Sequence, residues 1–181
     1  MNYQELLKIL VNVSNLKKTK RTGWIKKGIV NVESVADHSY QMAVMTIFIS
    51  EKLSLNFEKM VKMALIHDVA EGVIGDIIWE QGINTIGSHK NKTKLEQKAM
   101  KKIFKNNLDL YQLWDEFEKQ ETREAKVIKC IDKLEMLIQA GEYESAKENT
   151  KSLQEFWDNV EKYLKDSELE DFYKEIKHFY K

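Results

Sequence analysis

The chain has 181 residues, enough for one sizeable hydrophobic core, and its 29 basic and 29 acidic side chains cancel. That balance removes the electrostatic footprint expected of a protein that binds duplex nucleic acid or an anionic membrane, though a few local donors would still hold a small phosphate. No apolar run approaches the ~20 residues of a membrane span, and the single cysteine, Cys130, excludes an internal disulfide.

Apolar residues at 43% and charged residues at 32% describe a soluble globular chain. Met1-Asn2-Tyr3-Gln4-Glu5 lacks the charged-then-apolar order of a signal peptide, so a cytoplasmic protein is expected. Proline is absent, glycines number seven, and long segments are rich in Lys, Glu, Leu, Ala and Met, which points to an all-α chain. A first helix is expected over residues 2–13, burying Leu6, Leu7, Ile9 and Leu10. Residues 14–36, with several basic groups, Gly23, Trp24 and Gly28, read as a long ordered loop of the kind that carries function. A second helix starts near Asp37, and His38 falls on its apolar stripe of Met42, Met45, Ile49 and Leu53. Asn56 suits the N-cap of a third helix, which is expected to run to about Glu71 before Gly72. Gly75 and Asp76 open a loop that also holds Gly82, Gly87 and His89. Further helices are expected over 91–105, 108–119, 122–149, 151–164 and 168–180, the longest with Val127, Ile131, Leu134 and Ile138 as its stripe. No repeat, low-complexity tract or linker interrupts the chain. Residues 1–181 are therefore read as a single domain, with a motif core over about 20–140 and C-terminal helices packed on it.

Three features place metal-capable groups where the helical pattern asks for core residues. His38 starts the apolar face of its helix, His67-Asp68 interrupts Met63-Ala64-Leu65-Ile66 before Val69-Ala70, and Asp132 sits beside Ile131 near Leu134. A buried carboxylate or imidazole needs a partner or a metal. Two imidazoles and two carboxylates drawn from three helices suit a borderline divalent ion such as Co²⁺, Mn²⁺, Ni²⁺, Fe²⁺ or Zn²⁺. Other polar or aromatic features take plainer readings. Cys130 reads as a buried thiol, His89 as solvated and His178 as packing. Trp114, Phe117, Phe156 and Trp157 read as core or dimer contacts, and Lys98 to Lys105 as a solvated helix face.

The segments Lys20-Arg21-Thr22-Gly23-Trp24, Glu33-Ser34-Val35-Ala36-Asp37-His38, His67-Asp68-Val69-Ala70-Glu71, Gly75-Asp76-Ile77 and Ile131-Asp132-Lys133-Leu134-Glu135-Met136 together resemble the HD-domain 5′-deoxynucleotidases over roughly residues 5–165. The resemblance implies an all-α HD-type helical bundle, often dimeric, that removes phosphate from deoxyribonucleoside 5′-monophosphates with one divalent metal ion. Carried over by position, the metal ligands are His38, His67, Asp68 and Asp132. Glu71 would position or deprotonate the attacking water or assist the leaving oxygen. Arg21 would hold the phosphate, as a guanidinium can grip two of its oxygens. Asp76 would accept a hydrogen bond from the sugar hydroxyl, and Trp24 would pack near the sugar and disfavour a 2′-hydroxyl. Glu33, Ser34 and Lys94 would lie at the phosphate rim or behind it. One departure is visible: Gly75-Asp76 is followed by Ile77-Ile78-Trp79-Glu80-Gln81-Gly82, where the family carries a proline-containing stretch. Expected partners are a small nucleotide substrate and a second copy of the chain, with no nucleic-acid polymer and no membrane. Two other readings stay open: another HD phosphohydrolase, such as a phosphodiesterase or signalling-nucleotide hydrolase, and a non-catalytic metal- and nucleotide-binding protein.

Overall fold

Capping residues set where the helices of this chain begin. The computed structural model describes residues 2–77 and 91–181 in full and the backbone alone of 89 and 90. Asn2, Ser34, Asn56 and Thr122 each accept a backbone N–H of the first turn through the side chain. At Ser34 the box is reciprocal, since Asp37 returns a carboxylate to the Ser34 N–H at 2.8 Å. The described residues form helices α1 Tyr3–Asn15, α2 Thr22–Lys26, α3 Val35–Lys52, α4 Phe57–Ile66 and α5 Glu71–Ile74, followed by α6 His89–Ile103, α7 Leu108–Lys119, α8 Arg123–Ser145, α9 Gln154–Leu164 and α10 Glu170–Tyr180. The fold is all-α, as the composition predicts.

Helices α3, α4 and α8 pack on one another, α7 covers α4 and α8, and α9 and α10 lie against α8. Their shared core holds the fully buried Met42, Met60, Met63, Ile128, Ile131 and Leu134. A second apolar cluster around Leu16, Val35, Val69, Met100 and Trp114 joins α1, the start of α3 and α6. Close approach is possible where glycine removes a side chain. A Cβ on Gly141 of α8 would stand 2.3 Å from the Tyr180 ring of α10, and one on Gly72 would stand 2.3 Å from the Asn12 carbonyl oxygen of α1. Among the described residues, no helix is long and apolar enough to cross a membrane.

Several boundaries differ from the sequence expectation. Helix α1 buries none of its residues fully: Leu7 and Leu10 are 62% and 53% exposed, and Ile9 and Val13 make the contact instead. The reason is that α1 lies on the short α5, which is narrow enough to cover only one edge of it. The segment 14–36 contains α2 and is stitched to the start of α3. Arg21 N donates to Glu33 O at 3.2 Å, Val35 N donates to Thr19 O at 2.9 Å, and Lys20 and Ser34 form an isolated antiparallel bridge. Beyond α2, Gly28 takes φ +77, and its neighbour's carbonyl, Lys27 O, accepts the backbone N–H of Thr150 at 3.3 Å and of Lys151 at 3.2 Å.

The third helix does not continue to Glu71. It stops at Ile66, and His67 to Ala70 form a turn that leads into α5. In that turn Val69 N donates to Ile66 O at 3.2 Å and Glu71 N to Asp68 O at 2.9 Å, both across three residues rather than four. The His67 carbonyl is taken instead by the Trp114 indole N–H at 3.1 Å. The glycine-rich stretch 78–88, including Trp79, Gly82 and Gly87, lies outside the described residues. His89 belongs by its backbone to α6 rather than to a loop.

Candidate metal centre and its cleft

Three segments far apart in sequence meet where α3, the turn after α4, and α8 converge. His38 stands one turn into α3 and is fully buried, His67 follows the last residue of α4, and Asp132 lies midway along α8. One ligand atom from each lies within 4.8 Å of the others. The His38 and His67 Nε2 atoms are 3.3 Å apart. Asp132 Oδ1 is 3.4 Å from His38 Nε2, and Asp68 Oδ2 is 3.1 Å from His67 Nε2 and 4.0 Å from His38 Nε2. The tight turn after Ile66 makes this possible, because it swings the Asp68 carboxylate alongside the His67 ring.

The outward-facing ring nitrogens decide what this space wants. His67 Nδ1 lies 2.7 Å from the Ala64 carbonyl oxygen, which can only accept, so Nδ1 carries the proton. His38 Nδ1 is paired with the buried Glu135 carboxylate. With each Nδ1 committed to its partner, both Nε2 atoms turn into one small space that two carboxylate oxygens also face. Burial and Arg21 oppose a charge on His38, but Glu135 and Asp132 outweigh them and raise it to about 9. The cluster needs protons or a cation to hold its carboxylates together, and with the Nε2 protons displaced its two nitrogens and two oxygens fit a borderline divalent metal ion.

The charges around the centre are strongly displaced. Burial pushes Asp68 up, but His67, Arg21 and His38 outweigh it and hold its carboxyl well below the usual range. Burial likewise opposes ionisation of Asp132, and Lys133, Lys129 and His38 overcome it. Lys129 Nζ and Lys133 Nζ lie 3.1 and 3.4 Å from Asp132 Oδ2. Glu71 goes the other way. Burial, Asp68 and Asp76 together push it up to about 10, and its Oε2 is buried with no partner among the described residues.

Above the centre opens a cleft of about 230 Å³ whose walls include Arg21, Trp24, Asp68, Glu71, Asp76 and Asp132. Arg21 reaches it from the start of α2, with Nη1 3.3 Å from Asp68 Oδ2. Asp76 is held by the segment it faces: its Oδ2 accepts Thr22 N at 2.7 Å and its carbonyl accepts the Thr22 hydroxyl at 2.7 Å. Gly75, at φ +78, makes the bend that delivers it. Trp24 is buried, edge-on to Tyr143 and tilted against Phe156, and only its rim reaches the cleft. A wider hollow of about 680 Å³ lies between α9 and α10. It is ringed by lysines paired with acids, such as Lys177–Glu161 at 2.9 Å, and none of the clustered metal-capable groups lines it.

The remaining sequence candidates fall outside the cleft. Glu33 sits behind Trp24, accepting its indole N–H at 2.7 Å, and burial together with Glu135 raises it to about 7. Ser34 is committed to the α3 capping box, where its hydroxyl donates to Asp37 Oδ2 at 2.7 Å. Lys94 is exposed on α6, and Lys92, two residues earlier and on another side of that helix, lines the cleft instead. Sequence reasoning also passed over Lys129, Lys133, Met136 and Phe156 as cleft residues, and Glu135 as the partner of His38. A signal was present for Glu135: it is three residues beyond Asp132 and four beyond Ile131, hence on the inward side of α8. Trp114, Phe117 and Trp157 are buried as expected, and so is the free thiol of Cys130.

A buried cluster of two histidines and an aspartate, with a second, half-buried aspartate beside it, set in an all-helical bundle below a charged cleft, fits a class of metal-dependent phosphohydrolases. The HD domain family model matches residues 13–171, and the chain belongs to that family. It is similar to the human 5′-deoxynucleotidase HDDC2, with 39% identity over 162 residues covering 87% of this chain and 77% of that one. It is also similar to the 5′-deoxynucleotidase hdd1 of Schizosaccharomyces pombe, with 36% identity over 149 residues covering 80% and 75%. Among solved structures, a protein from Pyrococcus horikoshii matches with a TM-score of 0.81 at 32% identity, over 94% of this chain and 97% of that one.

Proposed function

We propose that this chain is a 5′-deoxynucleotidase, hydrolysing deoxyribonucleoside 5′-monophosphates to the deoxynucleoside and phosphate with one divalent ion held by His38, His67, Asp68 and Asp132. The observation that carries the reading is the convergence of two Nε2 lone pairs and two carboxylates at the floor of a cleft walled by Arg21, Glu71 and Asp76. The relatives named for this activity support the substrate class.

A divalent ion bound there supplies Lewis-acid polarisation of the phosphoryl group and lowers the pKa of a water molecule. The chain's own residues do the rest. Arg21, always charged, meets negative charge building on the phosphoryl oxygens. Glu71 holds or moves a proton at Oε2, the buried oxygen with no partner among the described residues. Asp76, fixed by Thr22, offers its other oxygen to the sugar hydroxyl. Trp24 lines the cleft and, packed beside the sugar, disfavours a 2′-hydroxyl. No covalent intermediate is needed, in keeping with a buried Cys130 away from the centre.

The reading extends to a homodimer in a reducing, cytoplasmic setting. The free thiol fits such a compartment, and the exposed α3 stripe of Tyr40, Ile47 and Phe48 offers apolar surface to a second copy. Light scattering that returned the mass of one chain would exclude the dimer.

The activity is tested by phosphate release from a panel of deoxy- and ribonucleoside 5′-monophosphates. Metal-stripped protein is resupplied with Co²⁺, Mn²⁺, Mg²⁺ or Zn²⁺, and Asp68→Ala serves as the control. Metal-dependent release that favours the deoxy substrates and vanishes in the variant is expected. Release from none of them would leave a metal-binding scaffold, and preference for a diester or triphosphate would make the chain a different HD phosphohydrolase.

A further inference from the structure

The two ligand histidines are supported unequally. His67 Nδ1 donates to a neutral backbone carbonyl, that of Ala64 at 2.7 Å. His38 Nδ1 donates to the carboxylate of Glu135, a side chain with 0% exposure. A fully buried carboxylate is costly to keep unless something charged repays the lost hydration, and among the described residues no lysine or arginine is paired with Glu135. Its other oxygen, Oε1, is buried with no partner among the described residues. The one group Glu135 addresses is the His38 ring, whose opposite nitrogen faces the metal centre.

We infer that Glu135 is a positioning residue for the metal centre: its charge polarises the His38 ring and makes that imidazole the stronger of the two nitrogen ligands. This rests on the reading of the cluster as a metal site. A carboxylate on Nδ1 fixes the proton there, aims the Nε2 lone pair inward and raises the basicity of the ligand, effects that typically change metal affinity by ~10- to 100-fold. The geometry on α8 favours the pairing. Asp132 and Glu135 are three residues apart, so one helix presents a ligand and the support of another ligand on the same side. Glu33, another largely buried acid that feels His38 and Glu135, is occupied by the Trp24 indole N–H and does not substitute.

The test uses Glu135→Gln, which keeps an acceptor for Nδ1–H and removes only the charge. Metal-stripped wild type, Glu135→Gln and Asp132→Ala are titrated with Co²⁺, following the visible absorption band of the bound ion. Wild type is expected to bind, Asp132→Ala to lose the band, and Glu135→Gln to bind ~10- to 100-fold more weakly. In activity assays the variant's Co²⁺ requirement rises by the same factor, while kcat at saturating Co²⁺ stays near that of wild type. Wild-type affinity in Glu135→Gln overturns this inference and leaves the metal site standing. No binding by wild type overturns both. If Glu135→Gln does not fold, the contact is read in wild type loaded with Zn²⁺. The His38 Nδ1–H proton resonance is expected well downfield of that of His67, and coincident or reversed positions overturn the inference.

Discussion

Asp68 and Glu71 sit three residues apart on one wall of the cleft, yet their surroundings drive them in opposite directions. Asp68 has two imidazoles and a guanidinium around it and stays ionised despite burial. Glu71 has burial and two carboxylates against it and is raised to about 10. Opposed environments of this kind separate a ligand from a proton-handling group. Replacing Glu71 by Gln is therefore expected to leave Co²⁺ binding intact and to lower kcat by ~100-fold or more. Full activity in that variant would remove Glu71 from the reaction. Arg21→Ala removes the cleft cation proposed to meet the phosphoryl oxygens and is expected to lower kcat/KM by ~10²- to 10³-fold, with Arg21→Lys recovering only part because one ammonium cannot grip two oxygens. Steady-state kinetics on the preferred deoxynucleotide checks both. The clustering of His38, His67 and Asp132 was legible in the sequence because each interrupts an apolar stripe. Glu135 was passed over although its spacing from Ile131 and Asp132 turns it inward, because a glutamate among Lys133, Leu134 and Met136 reads first as helix surface.

At the scale of elements, the sequence pattern located the helices well and misplaced their ends. The run Met63 to Ala70 is apolar enough to suggest one continuous helix, but the break after Ile66 comes from the Trp114 indole taking the His67 carbonyl. That partner is 47 residues away and cannot be seen in a local window. The segment 14–36 hid α2 because five residues show no periodicity. Gly72 is the tightest joint in this region: a Cβ there would meet the Asn12 carbonyl, which is backbone and cannot rotate aside, and Asn15 Nδ2 also donates to Gly72 O at 3.0 Å. Gly72→Ala is expected to cost ~1–3 kcal/mol in urea unfolding. It should also depress turnover, since Glu71 is its neighbour. A variant as stable as wild type would mean that α1 and α5 can separate freely. Thr122→Ala removes the α8 cap, Ala125 N to Thr122 Oγ1 at 3.3 Å, and is expected to cost ~1 kcal/mol by the same measurement.

For the whole molecule, the centre ties α3, the end of α4 and α8 together, the same three elements that enclose the main core. An ion that binds only the folded chain stabilises it by mass action, ~2.7 kcal/mol at a hundredfold excess over Kd. Chelation is accordingly expected to lower Tm, re-addition of Co²⁺ or Mn²⁺ to restore it, and Asp132→Ala to melt at one temperature regardless of metal. A wild-type Tm indifferent to metal would argue against the site. The all-helical architecture was readable from composition and spacing, while the expectation of candidate ligands on three helices is amended by the structure, which sets His67 and Asp68 in the turn after α4. The assembly of the cleft was not readable, because its far wall comes from α9 and from a loop contact that only folding creates.

That loop contact has a consequence for how such proteins diverge. The Trp24 segment is tied to the start of the C-terminal helices through Lys27 O and the N–H groups of Thr150 and Lys151, with Gly28 so close that a Cβ would fall 1.9 Å from the Thr150 hydroxyl. The Trp24 wall of the cleft is thus braced by a part of the chain that carries none of the clustered metal-capable groups. A change at residue 28 or 150 would therefore press on the segment that carries Trp24 while leaving His38, His67, Asp68 and Asp132 where they stand.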